Sequence, residues 1–435
     1  MIKKIVSPFD SHVHWLGTGE KLSRFELSGL KNPNEISELK VKPEHYRGDW
    51  IVGGGWDDNL WSVQPTKEIL DRVFPNNPVA LRRVDGHALW VNSKAIELAT
   101  VAGGLPFEVS GGRIVRDVRG DPTGVFVDLA MGLIYPLIPK SDQVIEELKA
   151  ACAYFNQQGF THIRDMSCNE HQWNQSVKLS ESGELTLYVD QLFHCDKPQE
   201  FERPLKLALQ AKNEKHKHLK VAGVKLYYDG ALGSEGALLS KNYKSRDHAG
   251  FRLAEKSEMK KYISEIWKNN LPVAVHVIGD LAAQEISEVA IELYQENKRG
   301  ELQLEHSELL NDLTIQNLEK LNVTCHFQPC HWLSDKRWLK DKIGDLTKWA
   351  FRWKELESKD ISFFFGSDSP IEESALLQTY VAVADAAENG IPRPQKPIEN
   401  YMSHPNPDER SYCELDEFKI LKVVFDGKPV FQNET

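Results

Sequence analysis

Ser7-Pro-Phe-Asp-Ser-His-Val-His14 is a short apolar run that ends in two histidines, His12 and His14, one residue apart. On a β-strand, residues i and i+2 leave the same face, so both imidazoles point one way from the strand's end. Two neutral imidazoles converging there make half a metal site. By itself a His-x-His pair says little in a chain with 15 histidines. Its weight depends on what the later strands deliver.

From about residue 143 the chain becomes regular. A helix is expected over 142–158, ended by Gly159, a good residue for the position after a helix. Strand-like runs then recur: Thr161-His-Ile-Arg-Asp-Met166, Leu187-Tyr-Val-Asp-Gln-Leu-Phe193, Gly223-Val-Lys-Leu-Tyr-Tyr-Asp229 and Pro272-Val-Ala-Val-His-Val277. Leu302-Gln-Leu-Glu-His306, Val323-Thr-Cys-His-Phe327 and Ile361-Ser-Phe-Phe-Phe-Gly-Ser-Asp368 follow, with helical patterns such as 257–269 and 282–297 between them. With the first strand this makes eight, alternating with helices, the pattern of an α/β protein built as a (β/α)8 TIM barrel. An open, doubly wound sheet is the alternative on the same pattern.

The plan expected is a barrel from 1–14 and 158–400, with an α/β insertion at 15–157 and a C-terminal β-hairpin over 411–432. The hairpin rests on Asp426-Gly427, a type I′ turn signal between two apolar runs. Within the insertion, Asn92 or Ser93 caps a helix carrying the stripe Ala95, Ile96, Leu98 and Ala99. Gly53-Gly-Gly55 lacks the Lys-Ser/Thr of a phosphate loop and reads as close backbone packing or a hinge.

At 435 residues, 41% hydrophobic and 27% charged, the chain has the composition of an ordinary globular enzyme-sized protein. A formal charge of −11 argues against nucleic acid or an anionic membrane as the main partner. No apolar run approaches the ~20 residues of a membrane span, and the first residues lack the apolar core of a signal peptide. The six cysteines show no framework spacing and read as reduced thiols of a cytoplasmic protein. A small-molecule substrate is the expected partner, and a homodimer stays open.

The ends of the strands collect the chemistry. The first carries His12 and His14, the fourth Lys225, the fifth His276, the sixth His306 and the eighth Asp368. In a barrel these ends converge on one face. His162, His194 and His326 also sit in or beside strands and read as packing or hydrogen-bonding groups.

This ordered set resembles the metal-dependent amidohydrolase superfamily, and within it the YtcJ-like amidohydrolase-3 group that includes N-substituted formamide deformylases. The resemblance runs through Phe9-Asp-Ser-His-Val-His14, Gly53-Gly-Gly-Trp-Asp57, Arg83-Val-Asp-Gly-His-Ala88 and Val224-Lys-Leu-Tyr-Tyr-Asp-Gly-Ala-Leu-Gly-Ser234. It continues through His276-Val-Ile-Gly-Asp280, Leu304-Glu-His306, Gln328-Pro329 and Gly366-Ser-Asp-Ser-Pro370. It implies a binuclear centre: His12, His14 and Asp368 on one ion, His276 and His306 on the other, and Lys225, carboxylated by CO2, bridging both. A lysine ammonium cannot coordinate a cation, whereas its carbamate is a bidentate carboxylate. Zinc suits such donors best, with manganese, iron and cobalt as other occupants. Two ions about 4 Å apart would activate a bridging water for attack on a non-peptide amide, with Asp368 as the catalytic proton carrier.

Compared with that group, both ends of this chain are short, so the small β-sandwich domain is expected to be reduced or absent. His87, Trp56 and one of Arg82 or Arg83 are substrate-side candidates, since period 2 lets only one arginine face a pocket. Asp229 and Gln328 join them through the motifs that contain them. Two rival readings remain. A mononuclear deaminase of the same superfamily has no use for a bridging lysine, and Lys225 speaks against it. A catalytically inactive binding or regulatory protein on this scaffold has no chemical reason to keep the whole ligand set.

Overall fold

The short apolar runs form an eight-stranded parallel sheet in the computed structural model, which describes residues 2–433 except 59, 60, 85, 110, 111, 196–199 and 246. Its strands are β1 (Phe9–Val13), β2 (His162–Cys168), β3 (Tyr188–His194), β4 (Leu219–Tyr227), β5 (Val273–Val277), β6 (Leu302–His306), β7 (Val323–Phe327) and β8 (Ser362–Phe365). Each pairs with its neighbour in chain order. Residues of β1 and β6 are buried at every position, as expected of strands covered on both faces.

The ring closes where β8 runs out. Val13 bridges Ser369, Asp368 donates its backbone N–H to His12 O at 2.7 Å, and His14 donates to Ser369 O at 2.7 Å. Buried Asp10 locks this seam, accepting from Ser367 N at 2.9 Å and from Ser374 Oγ at 2.5 Å. Closure between first and last strands excludes the open sheet. The expected helices are present as Val144–Gln157, Lys256–Lys268 and Asp280–Gln295. Gly159 follows the first of them at φ +100°, a left-handed position that costs glycine little.

The chain packs as two compact units, one Glu20–Glu147, the other Met1–Gly19 with Leu148–Thr435. The inserted unit is shorter than the 15–157 expected, because the barrel holds both of its flanks. Trp15 donates its backbone N–H to Asp165 Oδ1 at 3.0 Å and its indole N–H to Leu148 O at 3.1 Å.

Considered by itself, the inserted unit is a seven-stranded mixed sheet with helices Lys67–Val73 and Ser93–Gly103. Asn92 caps the latter, its Oδ1 accepting from Ala95 N at 3.2 Å. The glycine run lies in the strand Trp50–Trp56, where a Cβ on Gly53 would stand 2.1 Å from Phe25 O. Close packing, not phosphate binding, explains those glycines.

At the other end of the chain the hairpin Ile420–Phe425 and Lys428–Gln432 turns on Asp426 (φ 48°) and Gly427 (φ 80°), as type I′ requires. It belongs to a larger element than the sequence suggested. Tyr412–Leu415 and Lys3–Val6 extend it to a four-stranded antiparallel sheet. Lys3-Lys-Ile-Val6 is too short and too charged to read as a strand alone, and its ladder is supplied by residues some 400 positions away. No helix among the described residues is long and apolar enough to cross a membrane, and all six cysteines are buried free thiols.

Candidate metal centre

The C-terminal ends of β1, β4, β5, β6 and β8 bring His12, His14, Lys225, His276, His306 and Asp368 to one cavity of about 400 Å³. His12 and His14 share a face of β1, as period 2 demands, and their Nε2 atoms lie 3.3 and 3.1 Å from Asp368 Oδ1. Asp368 reaches them from a left-handed backbone at φ 62°, two residues beyond Gly366. Burial opposes its ionisation, yet the facing rings of His12, His14 and His331 hold its carboxyl well below the usual range. His12, His14 and Asp368 converge as a metal-binding trio would.

His276 and His306 face each other with ring centroids 4.4 Å apart, and His306 lies 4.7 Å from the His12 ring. Burial drives both histidines towards the neutral form, His276 down to about 3. In β6, period 2 would send Glu305 and His306 to opposite faces. His306 instead takes φ 69°, and both side chains end inside the barrel.

Lys225 is 1% exposed, and among the described residues no carboxylate comes within ion-pair distance of its ammonium, although Glu305 and Asp368 act on it electrostatically. Glu305 is engaged by His12 Nδ1 at 2.6 Å and by Arg164 Nη2 at 2.9 Å. Asp229 accepts backbone N–H groups from Leu238, Ile278 and Gly279 at 2.9, 3.1 and 2.8 Å. Lys225 Nζ stands 5.2 Å from the Tyr227 ring centroid. Burial, the leading cause, lowers the Lys225 pKa to about 8, which makes a neutral amine accessible near neutrality.

These donors suit a metal. His276 Nε2 and His306 Nδ1 are buried without a hydrogen-bond partner, and Asp368 Oδ1 lies between two imidazoles rather than facing a proper donor. Buried polar atoms left unpaired are costly, and a cation among them would satisfy them together.

Other expected residues fall differently. Trp56 is a core residue of the inserted unit, fully buried, its indole N–H donating to Leu81 O at 2.7 Å, which corrects its assignment to substrate. Gln328 is likewise corrected, being fully buried and donating to His326 O at 3.3 Å. Asp229 accepts from three backbone amides and sets its Oδ1 3.7 Å from His276 Nε2. His87 is an exposed group of the inserted unit, 62% open, with Nδ1 2.9 Å from Asp128 Oδ1. Arg82 donates to Gly86 O at 3.2 Å, and Arg83 to Asp58 Oδ1 at 3.4 Å while lying 5.9 Å from the Trp56 ring centroid. Asp85 of the same motif lies outside the described residues.

Sequence reasoning missed His331. It follows Gln328-Pro329, whose proline opens the helix Pro329–Asp335, so that the histidine stands one turn above β7 at the cavity. Its Nδ1 lies 2.9 Å from Glu308 Oε1 and its Nε2 3.6 Å from Asp368 Oδ2. A histidine at the third position of a helix that leaves a barrel strand was the available signal. Glu308, Asp335 and Glu372 also line this cavity.

The chain belongs to the amidohydrolase family, whose sequence profile matches residues 9–399. The amidohydrolase YtcJ of Bacillus subtilis (strain 168) is 32% identical over 379 residues, covering 83% of this chain and 69% of that protein. An N-substituted formamide deformylase of Arthrobacter pascens is 25% identical over 305 residues, 66% of this chain and 55% of the deformylase. The crystal structure of an uncharacterized metal-dependent hydrolase from Pyrococcus furiosus superposes with a TM-score of 0.76 at 26% identity, covering 95% of this chain and 87% of that one.

Proposed function

We propose that this member of the family hydrolyses a C–N bond in a non-peptide amide, with formamides of substituted amines as the first substrates to try. The observation that carries the reading is one cavity ringed by His12, His14, Asp368, His276, His306 and a buried Lys225. His12, His14 and Asp368 would hold one ion and His276 and His306 a second, with Lys225, carboxylated by CO2, between them. Divalent metal, zinc by the donor set, would supply a polarised carbonyl and a water acidic enough to lose its proton near neutrality.

The chain's own groups do the rest. Asp368 is held as a carboxylate, so it can accept the water's proton and pass it to the departing nitrogen. His331, placed between Glu308 and Asp368, fixes the second Asp368 oxygen over the cavity. Leu232, Ile278 and Ile371 line the cavity beside the polar groups and exclude water from the acyl portion of a substrate. The choice of substrate we assign to the inserted unit, with exposed His87 and Arg82 and half-buried Arg83 as candidates.

A one-ion site is the second reading, because His12, His14 and Asp368 alone form the tight donor trio among the described residues. Metal analysis of protein purified without chelator, paired with amine release from N-substituted formamides and simple amides, decides between them. About two ions per chain with chelator-sensitive amine release supports the proposal. One ion per chain with deamination instead supports the second reading. Two ions and no release from any amide would sink the assigned reaction.

A further inference from the structure

Beneath the cavity a charged chain crosses the barrel interior. Arg164 of β2 sends Nη1 to Ser11 O at 3.2 Å and Nη2 to Glu305 Oε1 at 2.9 Å, and also contacts Gln303 Oε1. Glu305 of β6 turns its other oxygen to His12 Nδ1 at 2.6 Å. Arg164, Glu305 and His12 are all at least 97% buried. A fully buried ion pair repays its desolvation poorly as a source of stability, so its geometry invites another explanation.

A carboxylate oxygen only accepts, so His12 Nδ1 carries a hydrogen, and in the neutral ring that a metal would bind the lone pair is left on Nε2. That Nε2 is the atom 3.3 Å from Asp368 Oδ1. The geometry points to Arg164 and Glu305 as positioning residues that fix the His12 tautomer and ring plane and lend it negative charge, so that the ion of His12, His14 and Asp368 is the more tightly held of the two. The inference rests on the metallohydrolase reading and adds an inequality within it. Among the described residues, no carboxylate comes within hydrogen-bond distance of His276 or His306; Asp229 Oδ1 stays 3.7 Å from His276 Nε2. The His276 ring is hydrogen-bonded to the Gly230 backbone, and His306 Nδ1 has no partner. A neutral carbonyl raises the basicity of a ligating imidazole less than a carboxylate does.

The test uses the full chain, stripped of metal and titrated with Zn²⁺ against a chromophoric chelator, and separately with Co²⁺ followed by visible absorption. Wild type is expected to fill in two steps of unequal affinity, with His276→Ala losing the weaker one. Glu305→Gln keeps the shape and loses the charge. It should weaken the tighter step by about 10- to 100-fold and change the Co²⁺ spectrum of that step. Arg164→Gln/Glu305→Gln removes both buried charges together and should show the same loss if the single variant does not fold. Wild-type affinity and an unchanged Co²⁺ spectrum in whichever variant folds would overturn the inference and leave the hydrolase reading standing. A wild-type protein that binds neither ion would overturn both.

Discussion

Inside the barrel, His276 Nε2 and His306 Nδ1 are buried without hydrogen-bond partners, and the ammonium-bearing Lys225 is buried beside them. In the inserted unit three indoles of one core cluster do the opposite. Trp56 donates to Leu81 O at 2.7 Å, Trp61 to Leu30 O at 2.7 Å and Trp90 to Thr66 O at 3.0 Å. Both regions bury polar atoms at comparable depth. In one the atoms are satisfied internally, so removal of a side chain costs packing. In the other they converge unsatisfied on a shared space, so removal costs chemistry. Unpaired buried donors that face one another therefore separate a working site from a well-packed core better than residue type does.

The contrast can be broken at several points. Asp368→Asn should lower turnover by about 10³-fold and reduce metal content, since it removes both a ligand and the proton carrier. Metal analysis beside rates would expose an Asp368 that does neither. Trp56→Ala should destabilise the inserted unit by about 3–5 kcal/mol in a denaturant melt while leaving metal stoichiometry at the wild-type value. Loss of metal in that variant would dissolve the distinction between the two regions. Lys225→Ala should weaken metal binding by about 10- to 100-fold, partly restored by a short carboxylate such as acetate. Wild-type metal affinity in the variant would remove Lys225 from the centre.

Two smaller effects sharpen the comparison. His162 titrates at about 3 in the fold, burial being the leading cause, with His404 and His218 adding to it and Asp190 and Asp408 opposing. Its unfolded value is about 6.5. The unfolded chain therefore takes up the proton first, and stability present above pH 6.5 is lost as pH falls towards 3. His162→Gln should flatten the acid limb of a melting-temperature profile, and an identical limb would assign the loss to other groups. His87→Ala should change stability by no more than about 0.5 kcal/mol and leave metal content intact while slowing turnover. Unaltered turnover on every substrate found would remove His87 from substrate recognition.

The barrel strands and six candidate residues were legible because those residues lie in or just past the C-terminal part of a strand-like run, and strand ends in this fold share one face. The adjacent Glu305 was not assigned its role, since period 2 puts it opposite His306 and only a backbone φ of 69° brings both inward. Trp56 was misread for a related reason. The alternation of Trp50–Trp56 marks two faces and does not say which is packed. Asp229 illustrates a further limit: a buried carboxylate beside a site can accept from several backbone amides, and no spacing rule reveals which amides will come. The first strand of the small sheet escaped because its partner lies at the far end of the chain.

That pairing of Lys3–Val6 with Tyr412–Leu415 bears on how the protein is born. On the ribosome the first strand must wait, unpaired, until more than 400 residues have been synthesised. At about 5–20 residues per second that is a delay of tens of seconds. His12 and His14 are made more than 350 residues before Asp368. The cluster of these three side chains therefore cannot assemble until the last barrel strand has been made, and its completion coincides with closure of the barrel.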